Sequence, residues 1–181
     1  MASGITRINI PSGVHTIGGE AFGGCNSLEE VTFSEGLKTI NFEAFYNCYS
    51  LTTISLPDSV ETIGNNLFNE CKNLSVVNLS SRIKSIPEKT FFNNIKLTKV
   101  VATSNIDFIG NSAFEGCTSL REIHFKTVDI EQCTIDNNTF DGIEPQECTI
   151  YIPQGETEAY RNHPALCKFK IVEKLINQQN Q

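Results

Sequence analysis

A spacing of 23 residues runs through this chain of 181 residues. Six similar segments begin with an apolar residue at that interval: Ile5, Leu28, Leu51, Leu74, Leu97 and Leu120. A period of this length is typical of repeat proteins, in which each unit buries its apolar edges only by stacking on its neighbours. The sequence therefore predicts a stacked array of like units.

Each segment opens with an alternation of apolar and polar residues. Two further apolar ladders mark it: Ile8, Val31, Ile54, Val77, Val100 and Ile123, then Ile10, Phe33, Leu56, Leu79, Ala102 and Phe125. Because successive side chains of a strand point to opposite faces, this pattern predicts a short strand with its apolar side chains directed inward. Strands of successive units are expected to stack in parallel.

A second wall and a helical turn are expected after each strand. The second wall is predicted from another pair of apolar ladders: Val14, Leu37, Val60, Ile83 and Ile106, then Ile17, Ile40, Ile63, Ile86 and Ile109. The four-residue spacing of Ile17, Ala21 and Cys25 favours a short helical segment after it. The predicted buried anchors of these turns are Phe22, Phe45, Phe68, Phe91 and Phe114.

Glycines stand before the predicted helical turn, at Gly18, Gly64 and Gly110, but Pro87 occupies the same position in the fourth repeat. Proline is restricted to negative φ and favoured at the first residue of a helix. We therefore interpret this position as helix entry, with glycine serving close approach of the backbone rather than positive φ.

Four of the seven cysteines share one position of the repeat: Cys25, Cys48, Cys71 and Cys117. Their register favours a packed column, since free cysteine behaves as a small apolar residue. Cys133, Cys148 and Cys167 lie out of register and are candidates for one disulfide, which would leave a free thiol in any pairing.

The repeat carries a family resemblance. The pattern Leu51-x-x-Ile54-x-Leu56-Pro57-x-x-Val60-x-x-Ile63-Gly64-x-x-Leu67-Phe68-x-x-Cys71 resembles the BspA-like leucine-rich repeat of bacterial surface proteins. The stretch from Thr149 to Gly155, with Tyr160 and Phe169-x-Ile171-Val172-Glu173, resembles the closing segment of such proteins. The resemblance implies an α/β solenoid: a curved, right-handed coil of six 23-residue repeats, each a short parallel strand plus a helical turn, with a C-terminal cap.

Departures from the period set the expected boundaries. Phe140 follows Phe114 by 26 residues, so 126–136 is predicted to form a bulge or altered turn. The expected organisation is a leader or cloning remnant (1–4), repeats (5–145, irregular at 126–145), a cap (146–173) and a tail (174–181). Ile150 and Ile152 are predicted to lie on the last strand. Because no cap precedes Ile5, we expect either further repeats before it or another subunit covering this edge.

Charge and motifs exclude several classes of function. The formal net charge of −7 argues against a nucleic-acid partner, and no apolar run is long enough to cross a bilayer. The chain contains no catalytic or nucleotide-binding motif, and its three histidines are scattered, so no enzyme activity or cofactor is predicted. Neither Cys148, His163 and Cys167 nor the loop 136–142 matches a metal-binding pattern, and no metal is predicted.

The residues between the inward ladders are expected to form a broad binding surface on the inner face of the sheet. The predicted binding residues are Arg7, Asn9, Glu30, Thr32, Thr53, Ser55, Asn78, Lys99, Glu122 and His124. Arg7 is the favoured anchor by residue type. Because this surface lacks an aromatic row or a basic stripe, it favours a protein ligand over sugars or nucleic acid.

The resemblance further implies a secreted or cell-surface protein of the adhesin type that binds host or neighbouring-cell proteins. An intracellular or structural scaffold that self-assembles through the open N-terminal edge, as a homo-oligomer, remains the alternative.

Overall fold

The computed structural model describes residues 4–174 and shows parallel strands that coil into a solenoid. The first wall contains β1 (Arg7–Ile10), β3 (Glu30–Phe33), β5 (Thr53–Ser55), β7 (Val76–Asn78), β9 (Lys99–Ala102), β11 (Glu122–Phe125), β13 (Thr149–Ile152) and β14 (Lys170–Glu173). The second wall contains β2 (Thr16–Ile17), β4 (Thr39–Ile40), β6 (Thr62–Ile63), β8 (Ser85–Ile86), β10 (Phe108–Ile109) and β12 (Thr134–Ile135). The eight first-wall strands therefore delimit seven turns of the coil.

The first wall is bonded in the register that the 23-residue spacing predicts. Ile54 lies beside Val77, Val77 beside Val100 and Val100 beside Ile123. Six strands, from β5 to β14, form one continuous sheet, while β1 and β3 pair with each other at the N-terminal end. The apolar side chains of each strand thus stack directly on those of the next.

Phenylalanine rings form a continuous stack through the core. The ring centroids of Phe45 and Phe68 are 5.7 Å apart and those of Phe68 and Phe91 are 5.9 Å apart, with nearly parallel planes. The side chains of Phe45, Phe68, Phe91 and Phe114 are fully buried, whereas Phe22 in the first repeat is partly exposed. Stacking of this kind adds to the energy of apolar burial and links each repeat to the next.

The predicted helical turns are absent from the described residues, and tight turns bonded between repeats replace them. In the second repeat, Glu43 and Asn47 have positive φ values of 55° and 58°. The intervening Phe45 N–H donates to the Leu67 carbonyl of the next repeat at 3.1 Å. In an α-helix, the N–H groups beyond the first turn would instead donate to carbonyls four residues earlier in the same segment. The designation α/β is therefore wrong for the repeats, which are built from strands and turns.

Two of the three glycines before these turns have the close approach that the sequence predicts, although no helix begins there; a Cβ at Gly18, in the first repeat, would meet no atom within 4 Å. A Cβ at Gly64 would lie 2.3 Å from the Phe42 backbone nitrogen, and one at Gly110 would lie 2.6 Å from that of Glu88. Neither glycine has positive φ. Close stacking of backbones, rather than backbone conformation, therefore requires glycine at these two positions.

The C-terminal end differs from the prediction in its last strand. A 3₁₀ turn (Ile130–Gln132) lies in the irregular segment, and helix α1 (Thr157–Asn162) follows β13. The buried Tyr160 of α1 donates its hydroxyl to the Thr127 carbonyl at 3.0 Å. β14 then pairs with β13, so the strand of Ile150 and Ile152 is not the last. The predicted leader and tail fall largely outside the described residues.

All seven cysteines are free thiols in the structure, so the disulfide considered for the out-of-register cysteines is not formed. In the column of in-register cysteines, Cys71 Sγ donates to the Phe45 carbonyl at 3.1 Å and Cys117 Sγ to the Phe91 carbonyl at 3.1 Å. Burial raises the pKa of the Cys48 thiol to about 12. These thiols therefore stay protonated and serve packing.

Candidate functional site

The outward side chains of the first wall form a polar surface, here called the sheet face. They lie in two rows: Arg7, Glu30, Thr53, Val76, Lys99, Glu122, Thr149 and Lys170, then Asn9, Thr32, Ser55, Asn78, Val101, His124, Tyr151 and Val172. Strand alternation produces the rows, because the inward neighbours of these residues belong to the core. All ten binding residues predicted from the sequence lie on this face.

The N-terminal half of the sheet face satisfies much of its polarity internally. Thr32 Oγ1 donates to Asn9 Oδ1 at 3.0 Å, and Asn78 Nδ2 donates to Ser55 Oγ at 2.9 Å. Arg7 pairs with Glu30 at 3.3 Å, but its side chain is 75% exposed. Exposed pairs of this kind contribute about 0–1 kcal/mol. Arg7 is therefore an exposed charge at the open edge of the sheet, and its side chain is not packed as an anchor residue would be.

In the C-terminal half of the sheet face, the second row, from Val101 to Val172, is apolar and aromatic. The rings of His124 and Tyr151 stack with centroids 4.5 Å apart, and the Lys174 ammonium lies 4.8 Å from the centre of the Tyr151 ring. Val101 and Val172 flank the two rings in the same row. We call these five residues the C-terminal patch. It is the part of the sheet face where large side chains pack against one another.

Charged groups border the C-terminal patch. Glu122 accepts from His124 Nε2 at 3.0 Å and pairs with Lys99 Nζ at 3.1 Å. These hydrogen bonds, first that of His124, lower the pKa of Glu122. Burial lowers the pKa of His124, and the charges of Lys99 and Lys174 act in the same direction, against the hydrogen bond to Glu122. His124 is therefore neutral at neutral pH and packs as an aromatic ring.

Four members of this site were not among the predicted binding residues: Val101, Tyr151, Val172 and Lys174. The stretch 146–173 was assigned to the cap and 174–181 to the tail, so the two rows were not extended into them. A signal for Tyr151 was present, since inward Ile150 and Ile152 place the residue between them outward. The sequence analysis expected no aromatic row on this face; the structure adds one aromatic ring, Tyr151, which stacks on His124.

The described residues contain no arrangement suited to metal binding and no helix able to span a membrane. No group of three or more His, Cys, Asp or Glu side chains comes together in residues 4–174. Cys148 is buried, Cys167 is exposed, and His163 Nε2 lies 3.4 Å from the Cys133 carbonyl. Over the same range no helix is both long and apolar enough to cross a bilayer.

Solved structures of bacterial leucine-rich repeat proteins resemble this solenoid, whereas no curated protein sequence matches it. A protein from Eubacterium ventriosum is 25% identical with a TM-score of 0.65, over 76% of this chain and 43% of that protein. One from T. pallidum is 27% identical with a TM-score of 0.49, over 64% of each chain. A cell surface protein from Faecalibacterium prausnitzii is 20% identical with a TM-score of 0.46, over 96% of this chain and 61% of that protein.

The chain thus spans less than two thirds of the length of these proteins. The family profile described as the BspA type leucine-rich repeat region matches six times, over residues 1–121 and 86–180. These matches cover nearly the whole sequence and coincide with the repeats that form the two walls. The chain belongs to the BspA-type leucine-rich repeat family.

Proposed function

We propose that this chain is a non-enzymatic protein-binding module that contacts its ligand through the sheet face, with the C-terminal patch as the anchor. Leucine-rich repeats are generally protein-interaction modules without catalytic activity. The observation that carries the proposal is the stacked pair of His124 and Tyr151, with ring centroids 4.5 Å apart, on a sheet face whose other side chains are mostly polar.

The C-terminal patch has the composition of an interface hot spot. Tyrosine is enriched among residues that dominate binding energy, and such residues are surrounded by contacts that exclude water. Tyr151 is held between His124 and the Lys174 ammonium, so little side-chain entropy remains to be lost on binding. Predicted residues such as Ser55, Asn78 and Lys99 then form the polar surroundings of this anchor.

The charges around the patch favour an acidic segment of the ligand. Lys99, Lys170 and Lys174 lie on or beside it, while Glu122 is engaged by Lys99 and His124. The carboxylate of Glu173 accepts the Thr157 hydroxyl at 2.6 Å. Three lysines against the two carboxylates give this region a small net positive charge, although the chain as a whole has a formal charge of −7. Complementary charge speeds association and selects among partners.

The proposed setting is the cell surface or the extracellular space, with an adhesin-like role towards host or neighbouring-cell proteins. BspA-type repeat proteins are often surface-associated, and this supports the proposal. Antibody labelling of intact cells that express the natural gene tests the location, and labelling only after cell lysis would contradict it.

Replacing Tyr151 with alanine is expected to weaken binding at least tenfold, about 1.4 kcal/mol, because the anchor ring is lost. The measurement is surface plasmon resonance against ligands from an array of purified extracellular proteins. Tyr49→Ala is the matched control, since the Tyr49 ring also lies beneath a lysine ammonium, that of Lys72 at 5.5 Å, but away from the sheet face. Equal losses in both variants would contradict the proposed site.

Self-assembly through the N-terminal edge is a second candidate function, favoured by one observation. Ile8, Val14 and Phe22 of the first repeat are partly exposed, whereas most of their counterparts in the inner repeats are buried. Exposed strand edges of this kind add strands from other chains. Light scattering over a concentration series is expected to show a rising mass, and a constant 20.1 kDa would exclude this function.

A further inference from the structure

The turns between the walls are joined to one another by a regular set of backbone hydrogen bonds. In the second repeat, the N–H groups of Glu43, Phe45 and Asn47 donate to carbonyls of the third repeat at 3.0, 3.1 and 2.9 Å. The first, third and fourth repeats make the same three bonds to the repeat that follows. Each turn thus presents three N–H groups, on alternate residues, towards the C-terminal end of the solenoid.

The last turn of this kind contains Asn138, Phe140 and Gly142 at the three donor positions. Its carbonyls are used on the N-terminal side, where Thr139 and Asp141 accept from Phe114 at 2.9 Å and Gly116 at 2.8 Å. No residue in the described range 4–174 accepts from the three N–H groups. Asn138 and Gly142 have φ values of 59° and 84°, as at the matching positions of the inner turns. The donors therefore keep the direction that they have inside the array.

A cleft of about 560 Å³ lies at these three donors. The turn forms one wall, and cap residues that include Pro164, Ala165 and Lys168 line the other. A volume of this size is within the usual range of ligand sites. The cap therefore covers the core at this end while leaving an opening beside the last turn.

We propose that this cleft binds a short linear segment of a partner protein, which takes the place of the next turn. Three N–H groups on alternate residues match the carbonyls of alternate residues of one peptide, as they do at the junctions that follow the first four repeats. A single carboxylate carries both oxygens on one carbon and cannot reach all three donors. This site is separate from the sheet face and extends the function proposed above.

The inner junctions also indicate which side chains the segment carries. The residue whose carbonyl accepts the middle bond is buried and mostly small: Ala44, Leu67, Thr90 and Ala113. At the inner junctions the following residue is a phenylalanine that stacks on the preceding repeat. In the cleft, Phe169 already packs edge-on against Phe140 with centroids 5.1 Å apart. The segment therefore has a small residue at its centre and no aromatic residue after it.

A peptide copied from the chain itself tests the proposal. The probe is the acetylated and amidated sequence of residues 111–117 with Phe114→Gly and Cys117→Ser, added to ¹⁵N-labelled full-length protein. Saturable NMR shifts and slowed hydrogen exchange are expected at the amides of Asn138, Phe140 and Gly142. A second peptide with phenylalanine in place of the central alanine is expected to bind at least tenfold more weakly.

Two variants give the matched comparison. Ala165→Trp fills the cleft and is expected to weaken peptide binding at least tenfold, whereas Ala21→Trp, at an exposed turn position of the first repeat, leaves it unchanged. Unchanged binding in Ala165→Trp, or shifts confined to the sheet face, overturns the proposal. If the three amides are protected from hydrogen exchange in the free protein, the chain fills its own cleft. If the NMR shifts depend on protein concentration without added peptide, a second copy of the chain fills the cleft. Either result also overturns it.

Discussion

Replacement of Phe68 by alanine is expected to lower the free energy of unfolding by about 3–5 kcal/mol. Phe68 is fully buried at the centre of the array, and its ring stacks on those of Phe45 and Phe91 at 5.7 and 5.9 Å. Removing the ring leaves a cavity across two junctions at once. Because each repeat contacts only its neighbours, this loss also weakens the coupling between the two halves of the solenoid.

Urea denaturation followed by circular dichroism measures this effect. The native chain is expected to unfold in one transition, whereas Phe68→Ala is expected to show a lower midpoint and a smaller m-value as the halves uncouple. Phe42→Ala is the control, because Phe42 is 53% exposed and its loss should cost about 1 kcal/mol or less. Similar losses in the two variants would mean that Phe68 is not a core anchor.

The strands were predictable from the sequence because two simple constraints coincide there. Alternation decides which side chains point inward, and the fixed spacing decides which residues become neighbours, as with Val77 and Val100. The end of the chain keeps the alternation but loses the fixed spacing. Ile150 pairs with both Ile123 and Ile171, at spacings other than 23, so a strand such as β14 leaves no periodic signal.

The turns were misassigned because a four-residue apolar spacing does not distinguish a helix from these bonded turns. The two structures differ in their hydrogen bonds: the N–H groups of a helix donate to carbonyls of the same repeat, whereas alternate N–H groups of these turns donate to carbonyls of the next repeat. A weak signal was present in residues that tolerate positive φ, such as Asn47, Asn93 and Gly116. Glu43 and Glu70 adopt the same conformation without any such signal, because bonds to the next repeat hold their backbone in place.

The sheet face illustrates the same division between regular and irregular parts of the sequence. Residues such as Thr53 and Lys99 could be placed on it because each belongs to a repeat in register. Alternation alone directs Tyr151 outward, but the pairing that puts it beside His124, and the place of Lys174, depend on how β13 and β14 pair after the period is lost. The anchor of the proposed site therefore comes from the segment that the repeat pattern describes least well.

Gly64→Ala is expected to destabilise the solenoid by about 3 kcal/mol, the upper end of the usual cost of overpacking. An alanine Cβ would lie 2.3 Å from the Phe42 nitrogen and 2.7 Å from the Asn41 carbonyl carbon. Both atoms belong to the backbone of the preceding repeat and cannot rotate away. The two repeats must separate, which strains the bond from the Gly64 N–H to the Ile40 carbonyl at 2.8 Å.

Gly18→Ala provides the matched control at the same repeat position. A Cβ there meets no atom within 4 Å, and Gly18 does not have positive φ. Alanine should therefore leave stability unchanged or raise it by about 0.4–1 kcal/mol by restricting the unfolded chain. Thermal and urea unfolding of both variants separates the two effects: equal stability changes would show that the glycine serves conformation and not close stacking. A loss confined to Gly64→Ala would show that the distance between repeats selects glycine there.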